Sequence, residues 1–485
     1  MNTFGEVLSQ ILTSHDVSIS ALSRQLGLKS RTTLFRVARD ETSYETAVRF
    51  RDRLVQAQVI RFTECELSRM AEALEVKRLN DDVYRANRAM EQLLREEKSV
   101  GAPLRVSGIP GISTFDELAR RYAEGRDVRI RMVGLCDRRI TAALHDALTQ
   151  TQQNFDIRHH IFHVHDAADT IRHLDALLPI LFSRGYTAQM VDGERSDRHP
   201  FPGEMLLCRF LDAEGRWQHH QLVMVEPSLM SGIAYRDSAA FDYWCRVIED
   251  CGGALPPLKA EFATQNAPED YLAYTESYRQ LEYDCNLYTL KPDVPINYVS
   301  PEIMIPVVLS SFSESNFIPP EVLELMAKQF ELIHRQRFEH FFHRRKVTHN
   351  IYSQKAMQAF AETGYQTDHF FASRPYTPEE RVKILSNLLE AEMGNPYFNV
   401  YFAKSDDLIH STEISCYEGK GTMILSAHTS YNLMTDHAEA LITHRGFNEY
   451  LRTYFQSELL HNQVLSTAEG RKFLRHLIDV AKDAQ

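Results

Sequence analysis

Residues Val17 to Arg39 read VSISALSRQLGLKSRTTLFRVAR, with five cations and no acid. Ser18 stands before an apolar-periodic run and suits the N-cap of a helix through Leu26. In that helix Ile19, Leu22 and Leu26 recur at i, i+3 and i+7, a core-facing stripe. Gly27 follows as the turn residue, and Ser30 offers a second N-cap. The next helix starts at Arg31, with Leu34, Val37 and Ala38 inward and Arg31, Thr32, Thr33 and Arg36 outward near its N-terminus. Phe4, Val7, Leu8, Ile11 and Leu12 form a helical stripe before this pair. After it, Ser43 with Ala47, Val48, Phe50 and Leu54 predicts another helix, so four short helices have the apolar faces a small bundle needs.

LSRQLGLKSRTTLFRV followed by a helix from SYETAVRF resembles the helix-turn-helix domain of the lambda-repressor-like family, over residues 4 to about 57. The resemblance implies that the second motif helix lies in a DNA major groove, with Ser30, Arg31, Thr32, Thr33 and Arg36 as the DNA-binding set and double-stranded DNA as partner. Two departures stand out. Ser23 occupies the position where the family usually has alanine, and the stretch from Gly27 to Leu34 is one residue longer than usual.

Charge is distributed unevenly along the 485 residues. Residues 1–60 hold eight Lys/Arg and six Asp/Glu, so an N-terminal net of +2 stands against −14 on the rest of a chain of net −12. An acidic body behind a basic segment weakens non-specific attraction to polyanions and favours binding through several good contacts, as a homodimer would supply. At 44% hydrophobic and 25% charged the composition is that of a globular protein. The seven cysteines are scattered without a CxxC pair. No secretory signal or apolar run of spanning length is visible, which together point to the cytoplasm and to no membrane partner.

Periodicity and breakers divide the chain into four parts: a helix-turn-helix domain over 1–60, a helical connector over 61–100, an α/β domain over 114–251 and a mostly helical domain with a few strands over 259–485. Overall this is a multidomain fold, mainly α with α/β. The boundaries rest on KSVGAPLRVSGIPGIS (Lys98 to Ser113) and GGALPPL (Gly252 to Leu258). In the third part VRIRMVGL, DIRHHIFHV, YTAQMV, EMLLCRFL and HHQLVMVE read as strands. A faint internal echo links LDAEG and YEGKG, each between strands and each followed by an aromatic helix, FDYWCRVI and FNEYLRTYF.

Candidate chemistry is sparse. His159, His163 and His165 share a strand face if alternation holds, and imidazoles with Asp166 or Asp169 suit zinc. The absence of cysteine partners or an HExxH spacing favours a structural role, with no metal and no cofactor. His334 to His349 carries Arg335, Arg337, Arg344, Arg345 and Lys346, either an anion-facing patch or a solvated helix face. No Walker, GxGxxG or GxSxG motif occurs. Nor does the middle region show the His-x-Lys pattern of phospholipase D-like hydrolases, a fold its strand order would otherwise suggest. These features lead to the expectation of a DNA-binding transcriptional regulator whose large body senses a small-molecule effector or mediates dimerisation. The alternatives are an α/β enzyme, such as a hydrolase, carrying an N-terminal module, and an interaction scaffold.

Overall fold

Ser18 caps its helix as its position predicts, its hydroxyl accepting from the Ala21 amide at 3.1 Å. The computed structural model describes residues 3–15, 17–26, 32–57, 59–79, 81–94, 101–149, 155–162, 167–183, 185–191, 204–252, 258–260, 268–292, 294–295, 298–313, 320–343, 345–366, 374–405, 412–426 and 439–484. It forms two units, one built on residues 1–90, the other on 91–165 and 170–485. This is a mixed α and α/β multidomain architecture with two mixed sheets.

The first unit is helical: α1 (Phe4–Ser14), α2 (Ile19–Gln25), α3 (Thr32–Ala38), α4 (Tyr44–Gln56) and α5 (Glu64–Leu79), followed by α6 (Asp81–Leu94), which runs past its end. A Thr3/Glu6 capping box starts α1, and Ser43 caps α4. Leu22, Leu34 and Val37 are fully buried beside Phe4, Leu8, Ile11 and Leu54. Met70, Ala73 and Leu74 of α5 join the same core, so a helix expected as a connector packs inside the bundle.

The second unit contains β1 (Arg105–Ser107), α7 (Phe115–Glu124), β2 (Arg126–Val133), α8 (Arg138–Thr149), β3 (Asp156–Phe162), α9 (Ala167–Leu181), β4 (Tyr186–Val191), β5 (Met205–Leu211), β6 (Trp217–Glu226), β7 (Leu229–Tyr235) and α10 (Ser238–Gly252). It continues with β8 (Lys259–Ala260), α11 (Pro268–Glu282), β9 (Leu287–Lys291), α12 (Pro301–Ser313), α13 (Pro320–His343), β10 (Thr348–Tyr352), α14 (Gln354–Thr363), α15 (Pro378–Gly394), β11 (Phe398–Phe402), β12 (Thr412–Tyr417), β13 (Gly421–Ser426), β14 (Glu439–Ile442), α16 (Arg445–Tyr454), a π-helix (Phe455–Gln463) and α17 (Thr467–Asp483). The C-terminal region is mostly helical as expected, but its strands are more than a few and form a complete seven-stranded sheet. They are short, and β9 is buried at every position, so its residues show no apolar–polar alternation.

The two sheets repeat one topology. Their orders are β1-β7-β6-β5-β2-β3-β4 and β8-β14-β13-β12-β9-β10-β11, the same path with each strand advanced by seven. In each, three parallel strands adjoin an antiparallel meander, and the first strand returns to pair with the last. The difference is at that edge, where β1 runs parallel to β7 but β8 antiparallel to β14. The echo between LDAEG and YEGKG thus marks the β5–β6 and β12–β13 hairpins of a duplicated fold. Leu258 joins the two sheets. Its amide donates to the Ala188 carbonyl on β4 at 2.7 Å, and its carbonyl accepts from the Thr443 amide at 3.0 Å.

Candidate anion-binding face on the first sheet

Antiparallel register brings residues that are distant in sequence onto one face of the first sheet. Arg129 on β2 lies opposite Arg209 on β5, Arg209 opposite His219 on β6, and His219 opposite Tyr235 on β7. Directly opposite side chains on one face have Cβ atoms about 5 Å apart, so these four form a continuous row, Arg129–Arg209–His219–Tyr235. The next row carries Arg131, Leu207, Gln221 and Ile233. Against this face α10 packs Phe241, Trp244, Cys245 and Ile248, with Val133, Met205 and Leu207 beneath.

Two arginines facing each other repel unless a negative group lies between or beside them. Arg131 has such groups, Asp156 at 2.8 Å and Glu249 at 3.4 Å. Among the described residues, neither Arg129 nor Arg209 has a carboxylate within ion-pair distance. The Arg209 guanidinium instead lies 4.0 Å over the Trp217 ring, and its buried Nε has no hydrogen-bond partner. His219 is 5% exposed, yet Nδ1 and Nε2 are both buried without a partner among the described groups. Its ring sits 5.1 Å from that of Phe241. Burial lowers the His219 pKa, and the Arg209 charge lowers it further against the weaker opposing pull of Asp242 and Asp237, so the imidazole is neutral at pH 7. Tyr235 donates its hydroxyl proton to the Gln221 carbonyl oxygen, which leaves the Gln221 amide nitrogen as the donor end. The row therefore holds two unneutralised cations, a neutral imidazole and an oriented amide. This set can accept an anion and exchange a proton with it.

The residues singled out from sequence lie elsewhere. Ser30 and Arg31 fall outside the described residues. Thr32 and Arg36 are exposed on α3, Thr33 occupies the same helix, and Arg36 donates to the Glu41 carbonyl at 3.3 Å. His159 is fully buried, its Nδ1 paired with the Tyr186 hydroxyl at 2.9 Å and its Nε2 with the Gly134 carbonyl. His163 and His165 lie outside the described residues. In the His334–His349 run Arg337 is buried in a two-bond pair with Glu282 at 2.6 and 2.8 Å, Arg335 pairs with Glu331, and Lys346 with Asp284. Those cations are neutralised within the molecule.

No family model and no curated protein matches this chain. A solved structure that matches is described as the phosphatidylserine synthase of Haemophilus influenzae Rd KW20, 9% identical, covering 83% of this chain and 98% of its own, with a TM-score of 0.24. The description of that neighbour names a synthase and no DNA-binding regulator, and the expectation of a DNA-binding transcriptional regulator is withdrawn here. A TM-score that low transfers neither fold nor activity. Buried polar atoms without a hydrogen-bond partner among the described groups include Arg209 Nε and both ring nitrogens of His219 on the first sheet, and Thr348 Oγ1 and His349 Nδ1 on the second; none lies on α3. No described helix is long and apolar enough to cross a membrane.

Proposed function

We propose that the second unit binds a small anion of phosphate or carboxylate type on the Arg129–Arg209–His219–Tyr235 row. The observation that carries this reading is the pair of facing arginines, unneutralised beside a buried imidazole with two unpartnered nitrogens. An anion placed there removes the repulsion and receives charge-assisted hydrogen bonds. It is the small-molecule partner that the size of the body leads one to expect. The dispersed cysteines, free among those the structure describes, support a reducing, cytoplasmic setting.

The chain has two tryptophans, Trp217 on β6 and Trp244 on α10, and both border this face. Titration with inorganic phosphate should therefore change intrinsic fluorescence saturably at pH 7. Arg209→Ala should weaken binding about 10- to 100-fold, the worth of one charge-assisted bond. Saturable binding that Arg209→Ala leaves unaltered places the anion elsewhere, and no binding up to tens of millimolar phosphate ends the proposal. A second reading, hydrolysis of a phosphate ester, is favoured by the neutral state of His219, which suits a general base beside a bound anion. Ester turnover lost in His219→Gln with phosphate binding retained would select it.

A further inference from the structure

We infer that the anion accepted by this face carries a planar aromatic ring, stacked on the open side of Trp217. The inference rests on the anion-binding reading and adds the second half of the ligand. Trp217 is 41% exposed although the Arg209 guanidinium covers one side of its indole. The indole lies on the same strand face as His219, two residues away, which places it about 7 Å along the strand from the row of cations. A cation held over one face of an indole leaves the opposite face available for stacking. That distance matches an anionic group joined to a ring through a short linker.

The neighbours have the same character. Ile233, opposite Gln221, and Tyr243 on α10 are each 55% exposed. Tyr243 meets Trp244 edge-on with centroids 5.5 Å apart. Small-molecule sites combine a few polar groups that fix orientation with apolar and aromatic surface that supplies contact, and both kinds of group adjoin here. An inorganic ion would use the arginines and leave the indole bare. A ring-bearing anion uses both.

The test compares three ligands on the full chain by isothermal titration calorimetry: inorganic phosphate, ribose 5-phosphate and adenosine 5′-monophosphate. Adenosine 5′-monophosphate should bind about tenfold more tightly than ribose 5-phosphate, the gain expected from one stacked base. In Trp217→Leu that advantage should vanish, with ribose 5-phosphate affinity changed much less. Equal affinity for the two sugar phosphates in the unmutated protein overturns the ring inference and leaves the anion reading intact. An advantage that survives in Trp217→Leu puts the ring elsewhere and also overturns it. If none of the three binds, the anion reading fails and the inference falls with it.

Discussion

The two sheets share a strand order but load it with different side chains. At the centre of the first, where parallel strands give way to antiparallel ones, Val133 ends β2 between His160 on β3 and Met205 on β5. At the corresponding place in the second, Lys291 ends β9 beside Tyr352 on β10 and forms a buried ion pair with Glu413 on β12. The same backbone path thus closes over an apolar contact in one half and over two charges in the other. The topology does not require the charges. In the second sheet Thr289 and Tyr298 both donate to Asn350 Oδ1, at 2.9 and 2.8 Å, and Asn350 donates to the Asn399 carbonyl, while Thr348 Oγ1 and His349 Nδ1 are buried without a hydrogen-bond partner among the described groups. In the first, Arg209 Nε and both nitrogens of His219 are without one. The halves differ in what surrounds these groups: facing arginines beside the imidazole in the first, and Tyr288 and Tyr401 stacked on the His349 ring in the second.

The largest effect expected from this comparison is at Lys291. Removing it as Lys291→Ala strands a 9%-exposed carboxylate, Glu413, and should cost about 3–5 kcal/mol. Replacing both partners by the residues of the sister sheet, Lys291→Val with Glu413→Met, should restore stability to within about 1 kcal/mol, because a well-packed apolar pair avoids the desolvation cost of both charges. Urea midpoints of the three proteins measure it. A double variant as unstable as the single one would show that the second half depends on its ion pair in a way the first does not.

Next in size is the response to acid. Burial lowers His220 in the first half to about 4, helped by the charges of Arg121 and His219, and lowers His334 in the second to about 3 despite its bond to the Val299 carbonyl. Each folded-state pKa lies below the unfolded value of about 6.5. As pH falls below 6.5 the unfolded chain takes up protons that the folded chain refuses until about pH 4 or 3, so stability is present above that window and lost on acidification through it. At about 1.36 kcal/mol per pH unit the loss approaches about 3 kcal/mol for His220 and about 5 kcal/mol for His334. His220→Phe should keep its stability at pH 7 and lose less of it than the unmutated protein between pH 6.5 and 4. An unchanged pH profile would mean that His220 titrates normally in the folded protein.

Much of the first half was legible in the sequence because its strands are long and partly alternating. EMLLCRFL and HHQLVMVE fall on strands β5 and β6 where their residue types place them, and the short echo around LDAEG and YEGKG falls on equivalent hairpins of two sheets with one strand order. The second sheet was legible only in part, through the few strands expected over 259–485, among them β11 and β13. LYTLK and THNIY are five-residue strands, buried at nearly every position, and a short run without alternation carries no signal of its own. Candidate-site residues were missed for a different reason: Arg129, Arg209 and His219 meet through strand register, which no local spacing encodes. The available hint was the polar HHQ inside an otherwise apolar strand. The cations of the 334–349 run drew notice through their density, yet density says nothing about partners. Arg337 finds Glu282 from 55 positions away.

The smallest expected effect tests what the halves have in common. Both inner hairpins turn on a glycine in the left-handed region, Gly215 between β5 and β6 and Gly419 between β12 and β13, each at φ +78. A Cβ added at either position meets nothing within 4 Å, so packing does not enter and only backbone strain remains. At each, alanine should cost about 1–2 kcal/mol, the penalty of an L-residue in that conformation. Asparagine tolerates left-handed backbone better and should recover part of the loss. The Asp212 carboxylate in the first turn accepts from the Glu214 and Arg216 amides at 3.0 and 2.8 Å, holding that loop in its left-handed path. The second loop has the Lys420 amide donating to the Tyr417 carbonyl at 2.9 Å. Equal losses for Gly215→Ala and Gly419→Ala in thermal unfolding would show that the turns act as equivalent parts of one repeated design. If Gly215→Ala alone lowered phosphate affinity as well, the first hairpin would be holding Arg209 and Trp217 in place, and the duplication would have diverged at its turn as well as at its side chains.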